Sequence, residues 1–231
     1  MFNIRRSLDR GHFDYGWLNT YHSFSFSDYY DPKHVSFRSL RVINEDVVSA
    51  NEGFDTHPHK DMEIITYIVD GELTHTDSTG ASSIIRRGDV QAMTAGFGVE
   101  HSEYNRSSKP VHLLQIWITP VKKGLKPIYA EKNFSENLRR NSLRLIASND
   151  GREDSLKINQ DVSVYSSILE MNNKLSYTIR TGRGVWMQVI SGELHIRDII
   201  LASGDGISIE KETAIDILAE LDSEFLLFDL G

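Results

Sequence analysis

The segment EIITYIVDGELTHTDSTGASSIIRRGDVQAM, Glu63 to Met93, decides how the chain is read. It opens on β-branched and aromatic residues, reaches Asp70-Gly71, alternates from Glu72 onward and meets Ser78-Thr79-Gly80. Short apolar or alternating runs closed by turn residues are strand signals. Asp70-Gly71 reads as a tight hairpin turn and Ser78-Thr79-Gly80 as a second turn. VHLLQIWIT (111–119) and VWMQVISGELHI (185–196) repeat the type. Helical signals are few, the best being Ser135 to Arg140 with Ser135 as N-cap. The chain is read as all-β.

Sliding the sequence on itself reveals an internal repeat. YIVDGELTH at 67–75 matches QVISGELHI at 188–196, and RRGDVQAM at 86–93 matches ASGDGISI at 202–209. Gly71-Glu72-Leu73 thus lies over Gly192-Glu193-Leu194, and Gly88-Asp89 over Gly204-Asp205. Between the copies, strand rhythm lapses after Pro120 in a stretch rich in Lys, Pro and Asn, and resumes near Ser142. Two tandem β-barrel domains are expected, 1–132 and 133–231.

Composition narrows the chemistry. With 231 residues the chain is long enough to bury a substantial core. It contains no cysteine, which removes disulfides, thiolate metal sites and cysteine nucleophiles, so any metal must be held by His, Asp or Glu. The net charge of −8 argues against a nucleic-acid surface, which needs clustered cations. Arg5-Arg6, Arg86-Arg87, Lys122-Lys123 and Arg139-Arg140 read as solvated surface charge. No stretch has the length of a signal peptide core or a membrane span, so a cytoplasmic protein without membrane attachment is expected.

Residues two apart on a strand share a face. His57 and His59 therefore point the same way, and Glu63 shares their parity if the strand has no bulge. His101, Glu103 and Asn105 form a second set with the same period. Two strands of one barrel can bring such sets together, and three imidazoles with a carboxylate suit a divalent first-row metal. The repeat tests this reading internally. The Gly-Glu-Leu match places Thr178 under His57, Arg180 under His59 and Gly184 under Glu63. The Gly-Asp match places Ile217 under His101 and Ala219 under Glu103. None of these is a ligand, so the first copy's histidines are functional rather than architectural. In 111–119, Leu113, Gln115 and Trp117 share one face; if it is the inner one, Gln115 could hydrogen-bond a ligand or substrate. His22, with Phe24 and Phe26, reads as a packed N-terminal strand or as part of the barrel mouth. His12, His34, His75, His112 and His195 match no ligand position and read as structural or surface residues.

The arrangement resembles a bicupin, and more narrowly the pirin family. The cupin pattern is visible in Gly53, His57-Pro58-His59, Glu63 and Gly71, then Gly88, Gly96-Phe97-Gly98, His101 and Asn105. THPHKDMEIITYIVDGELTHTDSTG, GDVQAMTAGFGVEHSEYN, HLLQIWI, the N-terminal RGHFDYGWLNTYHSFSFSDYYDP and LRVINED are similar to bacterial pirin-like quercetin 2,3-dioxygenases. The resemblance spans essentially the whole chain and is specific mainly in its first half. It implies two tandem jelly-roll barrels with one metal in the first, usually iron, with Zn, Ni, Mn, Cu and Co as further options. By motif position the ligands are His57, His59, His101 and Glu103. A typical cupin would use Glu63 instead, which here is expected behind the ligands or as an alternate one.

The activity implied is oxidative ring cleavage of a flavonol or related enolisable phenol by dioxygen. Glu103, or Glu63 behind it, is the candidate base. A second implied reading is a redox-responsive regulatory protein that binds a protein partner without turnover, and a third is a metal-holding cupin with no activity of its own. A monomer is expected.

Overall fold

The computed structural model describes residues 1–231 and divides into two compact units. The first unit comprises 11–133 with 156–160, and the second 1–10, 134–155 and 161–231. The division expected at 132/133 therefore differs in two segments.

In the first unit a large sheet runs in the order Ile128–Asn133, Asp89–Thr94, Glu63–Asp70, Val111–Ile118, Leu40–Val48, Leu18–His22, Gly11–Asp14. A smaller sheet runs Gly53–His59, Val99–Tyr104, Glu72–Asp77, Ser82–Arg86. The second unit repeats the plan with Phe2–Arg5, Gly206–Ile209, Gly184–Ser191, Ser223–Leu230, Val162–Leu169 and Arg144–Ser148. Its smaller sheet is Lys174–Thr178, Ala214–Ala219, Glu193–Ile196, Ile199–Ala202. The edge place held by Ile128–Asn133 in one barrel is thus taken in the other by the start of the chain, which is why residues 1–10 fall with the second unit.

The repeated motifs have physical explanations. Gly71 and Gly192 adopt φ of +82° and +88°. A Cβ would come 2.9 Å from the Pro110 carbonyl oxygen at Gly71 and 2.4 Å from that of Asp222 at Gly192, so only glycine fits. Asp70-Gly71 is not a hairpin turn, however. The strands on its two sides lie in different sheets, and Gly71 is the corner where the chain crosses from large to small. Corner and hairpin need the same left-handed glycine, so they look alike in sequence. Ser78-Thr79-Gly80 is a true hairpin loop, closed by Asp77, whose Oδ1 accepts from the Thr79 and Ala81 amides at 2.8 and 3.2 Å.

The Gly-Asp match reflects a second device. Asp89 Oδ2 accepts from the Arg86 amide at 2.8 Å, and Asp205 Oδ2 from the Ala202 amide at 3.1 Å. The other oxygen ties down the edge segment, through Asn133 Nδ2 at 2.8 Å in one barrel and the Ser7 amide at 2.7 Å in the other.

Other expectations need correction. The helix is only Glu136–Arg139, and Ser135 makes no side-chain cap. Arg5 and Arg139 are buried rather than solvated, and Arg139 pairs with Glu224 at 2.9 Å. No helix is long and apolar enough to cross a membrane.

Candidate metal centre

The strand Gly53–His59 pairs antiparallel with Val99–Tyr104, and His57 lies opposite His101. His101 Nε2 is 2.8 Å from His59 Nε2 and 3.0 Å from His57 Nε2. Nitrogens at right angles around an ion with bonds of ~2.0–2.1 Å sit about 2.9 Å apart, so these separations suit a shared ion. The remaining ring nitrogens support this. His57 Nδ1 lies 2.7 Å from the Asp55 carbonyl oxygen, which takes its N–H and leaves Nε2 with a lone pair. Burial, with His57 alongside, pushes His59 down to about 4. Burial first, then His59 and His57, lowers His101 further still. Both rings are therefore neutral at ordinary pH, as metal ligands must be.

Glu103 follows on the same face as His101. Its Oε1 accepts from Thr66 Oγ1 at 3.3 Å and its Oε2 from Gln115 Nε2 at 2.9 Å. It groups with His101 and His75, one donor atom from each lying within 4.8 Å of the others. Burial raises its carboxyl to about 7, with Asp46 adding to the effect.

Glu63 is not among these residues. The corner at residues 60–62, with Asp61 at φ +51°, ends the first strand, and Glu63 begins the next one in the other sheet. On that strand Thr66 faces inward, so Glu63 faces the opposite side. There its Oε2 accepts from Thr94 Oγ1 at 2.9 Å and the Asn159 amide at 3.2 Å. The parity shared with His57 and His59 is broken, and Glu63 anchors the 156–160 segment. Asn105 likewise faces away, its amide donating to the Val48 and Lys109 carbonyls.

The sequence reading missed several neighbours. His75, taken as structural or surface, is fully buried beside the centre, its Nδ1 3.4 Å from His101 Nδ1 and its Nε2 3.0 Å from Asp77 Oδ2. A row of polar residues crosses the large sheet from strand to strand: His22, Asn44, Gln115, Thr66 and Gln91. Three of them hold site residues, Thr66 and Gln115 bonding Glu103 and Gln91 Nε2 lying 3.4 Å from His75 Nδ1. Leu113, Gln115 and Trp117 do face inward, as their shared parity allowed. A cavity of about 230 Å³ opens among Phe26, Phe54, Trp117, His57, His59 and Glu103, with Asn44, Asp46 and Gln115 completing its wall. Phe26 joins that wall, while His22 and Phe24 are buried. The other four histidines lie apart, His12 by Asn19, His34 by Asp31, His112 by Glu45 and His195 by Glu193.

The second barrel has no such set, but the matching positions shift. In Lys174–Thr178, Thr178 is exposed, as is Arg180 beyond it, whereas Tyr177 and Ile179 pack on the core. The strand Gly53–His59 carries an extra residue, since His101 pairs with His57 but Glu103 with Phe54. Tyr177 pairs with Ile215 as His57 pairs with His101, so Tyr177 and Ile179, not Thr178 and Arg180, stand where His57 and His59 do; counted back from the Gly-Glu-Leu match, the corner of the second barrel, 180–183, is one residue longer than 60–62. The corresponding ladder puts Ile215 and Ile217 at the places of His101 and Glu103, instead of Ile217 and Ala219. The polar row becomes Tyr165, Leu227, Met187 and Ile207. All of these residues belong to one apolar cluster or pack against it.

Comparison with known proteins gives consistent matches. The family model described as Pirin matches residues 2–118, and that of the quercetinase C-terminal cupin domain matches 145–230. A quercetin 2,3-dioxygenase of Escherichia coli K12 is 44% identical over 231 residues, covering 100% of this chain and 99% of its own. A pirin-like protein of Caulobacter vibrioides is 37% identical, covering 97% and 98%. The crystal structure of the bacterial pirin YhhW from E. coli in complex with nickel(II) superposes with a TM-score of 0.95 at 44% identity, covering 100% and 99%.

Proposed function

This chain belongs to the pirin family, and from that premise we propose that it is a metal-dependent dioxygenase that cleaves the ring of flavonols or related enolisable phenols. The convergence of three imidazole Nε2 atoms at 2.8 and 3.0 Å beside an aromatic-lined cavity carries the reading. His57, His59 and His101 would hold one divalent ion, with Glu103 as the fourth ligand and iron as the native metal. The relatives' name and the nickel complex of YhhW support the reading.

A bound divalent ion supplies Lewis acidity and one-electron chemistry with dioxygen. The chain's own residues do the rest. Phe26, Phe54 and Trp117 present apolar faces to a planar phenol and exclude water from it. The His59 ring meets the Trp117 ring edge to face with centroids 4.9 Å apart, which limits how the imidazole can turn. Gln115 ties the cavity wall to the centre, accepting from Trp117 Nε1 at 3.2 Å while its amide holds Glu103. An aromatic cavity opening on the imidazoles favours turnover over a purely regulatory role.

The test is anaerobic reconstitution with iron(II), nickel(II) or manganese(II), followed by oxygen uptake with flavonols. Uptake should track metal content and vanish on chelation. Flavonol oxidation that survives complete metal removal, and does not return in proportion to added metal, would rule the proposal out.

A further inference from the structure

Ring cleavage of an enolisable phenol needs a group that removes the hydroxyl proton. With Glu63 on the opposite face of its sheet, two carboxylates line the cavity, Glu103 and Asp46. Both Glu103 oxygens already accept hydrogen bonds, from Thr66 and Gln115, and Glu103 would itself be a ligand of the ion. Asp46 differs. It sits on Leu40–Val48 between Thr20 and Leu113, only 4% exposed, and its Oδ1 is buried without a hydrogen-bond partner. The hydroxyl facing it across the ladder, that of Thr20, is the donor inside the chain, and what leaves the carboxylate open to an entering hydroxyl is its place in the cavity wall. Asn44, two residues earlier and also cavity-lining, likewise has a buried side-chain oxygen with no partner. The second barrel, which lacks the centre, has Ser167 at the place of Asp46, so the fold itself does not require an acid there.

We infer that Asp46 is the general base of this site, taking the proton of the hydroxyl that a bound flavonol presents to the cavity, with Asn44 beside it as a further polar contact. The inference rests on the dioxygenase reading. In this step the substrate O–H bond breaks, its electron pair stays on the substrate oxygen, and the proton forms an O–H bond on the Asp46 carboxylate. No electron is transferred. The proton leaves with the carboxylic product or passes to water when the cavity reopens.

The surroundings suit this role. Burial raises Asp46 to about 7, the Thr20 hydroxyl opposes the rise, Glu45 adds to it and His112 lowers it. The facing groups across the cavity are Glu103, His57 and His59, while Glu45 and His112 pair with each other at 3.0 Å. A base poised near neutrality accepts a proton readily and can give it back.

The experiment compares the nickel(II)-loaded protein with Asp46→Asn, and with Asp46→Ser as a second variant. Three quantities are read: bound nickel, the absorption of a flavonol titrated in without oxygen, and turnover in air. Nickel content should be equal in all three proteins. The parent should bind flavonol as its red-shifted anion and the variants as the neutral phenol, with kcat lowered about 100-fold or more and KM changed much less. Variants that ionise the flavonol and turn it over within a few-fold of the parent overturn the role of Asp46 and leave the dioxygenase reading standing. A parent that ionises flavonol through Asp46 but consumes no oxygen, loaded with nickel(II) or with iron(II), overturns the dioxygenase reading alone. A parent that binds no flavonol overturns both.

Discussion

Proton positions around His101 decide what this centre can hold. His75 Nε2 donates to Asp77 Oδ2 at 3.0 Å, so His75 Nδ1 is left as an acceptor. Two donors face that lone pair at 3.4 Å, His101 Nδ1 and Gln91 Nε2, and sharing it holds the proton of His101 on Nδ1, so that His101 Nε2 keeps its lone pair toward His57 and His59. A carboxylate acting through one histidine on another fixes the tautomer of a ligand it never touches. His75→Phe keeps a ring but removes the acceptor, and metal affinity should fall about 10- to 100-fold, measured by competition with a chelator. Unchanged affinity would show that His101 orients itself. Asp46 makes a separate prediction in the metal-free protein. Its folded pKa of about 7 lies above the ordinary 3.8, so the folded state binds the extra proton between those values. Stability contributed by the protonated form is present below ~4 and is lost as pH rises through ~7, by a few kcal/mol. Asp46→Asn escapes that loss. Its melting temperature should exceed the parent's at pH 8, and the gap should close near pH 4. A gap independent of pH would mean that Asp46 is not buried in its charged form.

Strands and corners explain which site residues could be seen in advance. His57 with His59, and His101 with Glu103, each lie within one strand, where a period of two is a local property that the sequence displays directly. Glu63 misled because the corner at 60–62 resets the parity, and a three-residue corner is not distinguishable from continued strand in a run such as HKDMEI. Thr178 and Arg180 misled for a similar reason, since the corner at 180–183 is one residue longer than that at 60–62 and shifts the count back from Gly192. Asn44, Thr66 and Gln91 were illegible because they meet the site through ladder register across the sheet, which depends on pairings far apart in sequence. The barrel repeat, by contrast, was legible through Gly71 and Gly192, where sterics allow no other residue. The position of Glu63 carries a prediction of its own. Its carboxylate is fully buried and satisfied by Thr94 and Asn159. Glu63→Gln turns one acceptor into a donor facing donors and should cost ~1–3 kcal/mol, read by chemical denaturation, with metal content unchanged. Loss of bound metal in this variant would return Glu63 to the centre.

Across the molecule, two barrels of one plan have opposite interiors. Where the first places His57, His59, His101, Glu103 and the row Asn44, Gln115, Thr66 and Gln91, the second places Tyr177, Ile179, Ile215, Ile217, Tyr165, Leu227, Met187 and Ile207. An interior of this kind gains stability mainly from burial, with the Tyr177 hydroxyl donating to Asp229 at its rim. A polar one is costly unless its groups are satisfied, and the three clustered Nε2 atoms find their best partner in an ion. The metal should therefore stabilise one unit and leave the other unaffected. Elemental analysis should give one transition metal per chain. At a free metal concentration 100 times the dissociation constant, stabilisation of the first unit should reach about 2.7 kcal/mol. Hydrogen exchange locates this gain. Adding nickel(II) to the metal-free protein should slow exchange in Gly53–His59, Glu72–Asp77 and Val99–Tyr104, while Lys174–Thr178, Glu193–Ile196 and Ala214–Ala219 exchange as before. Two tightly held metals per chain, or equal protection of both sets of strands, would mean that the second barrel binds metal through residues other than those at the matching positions.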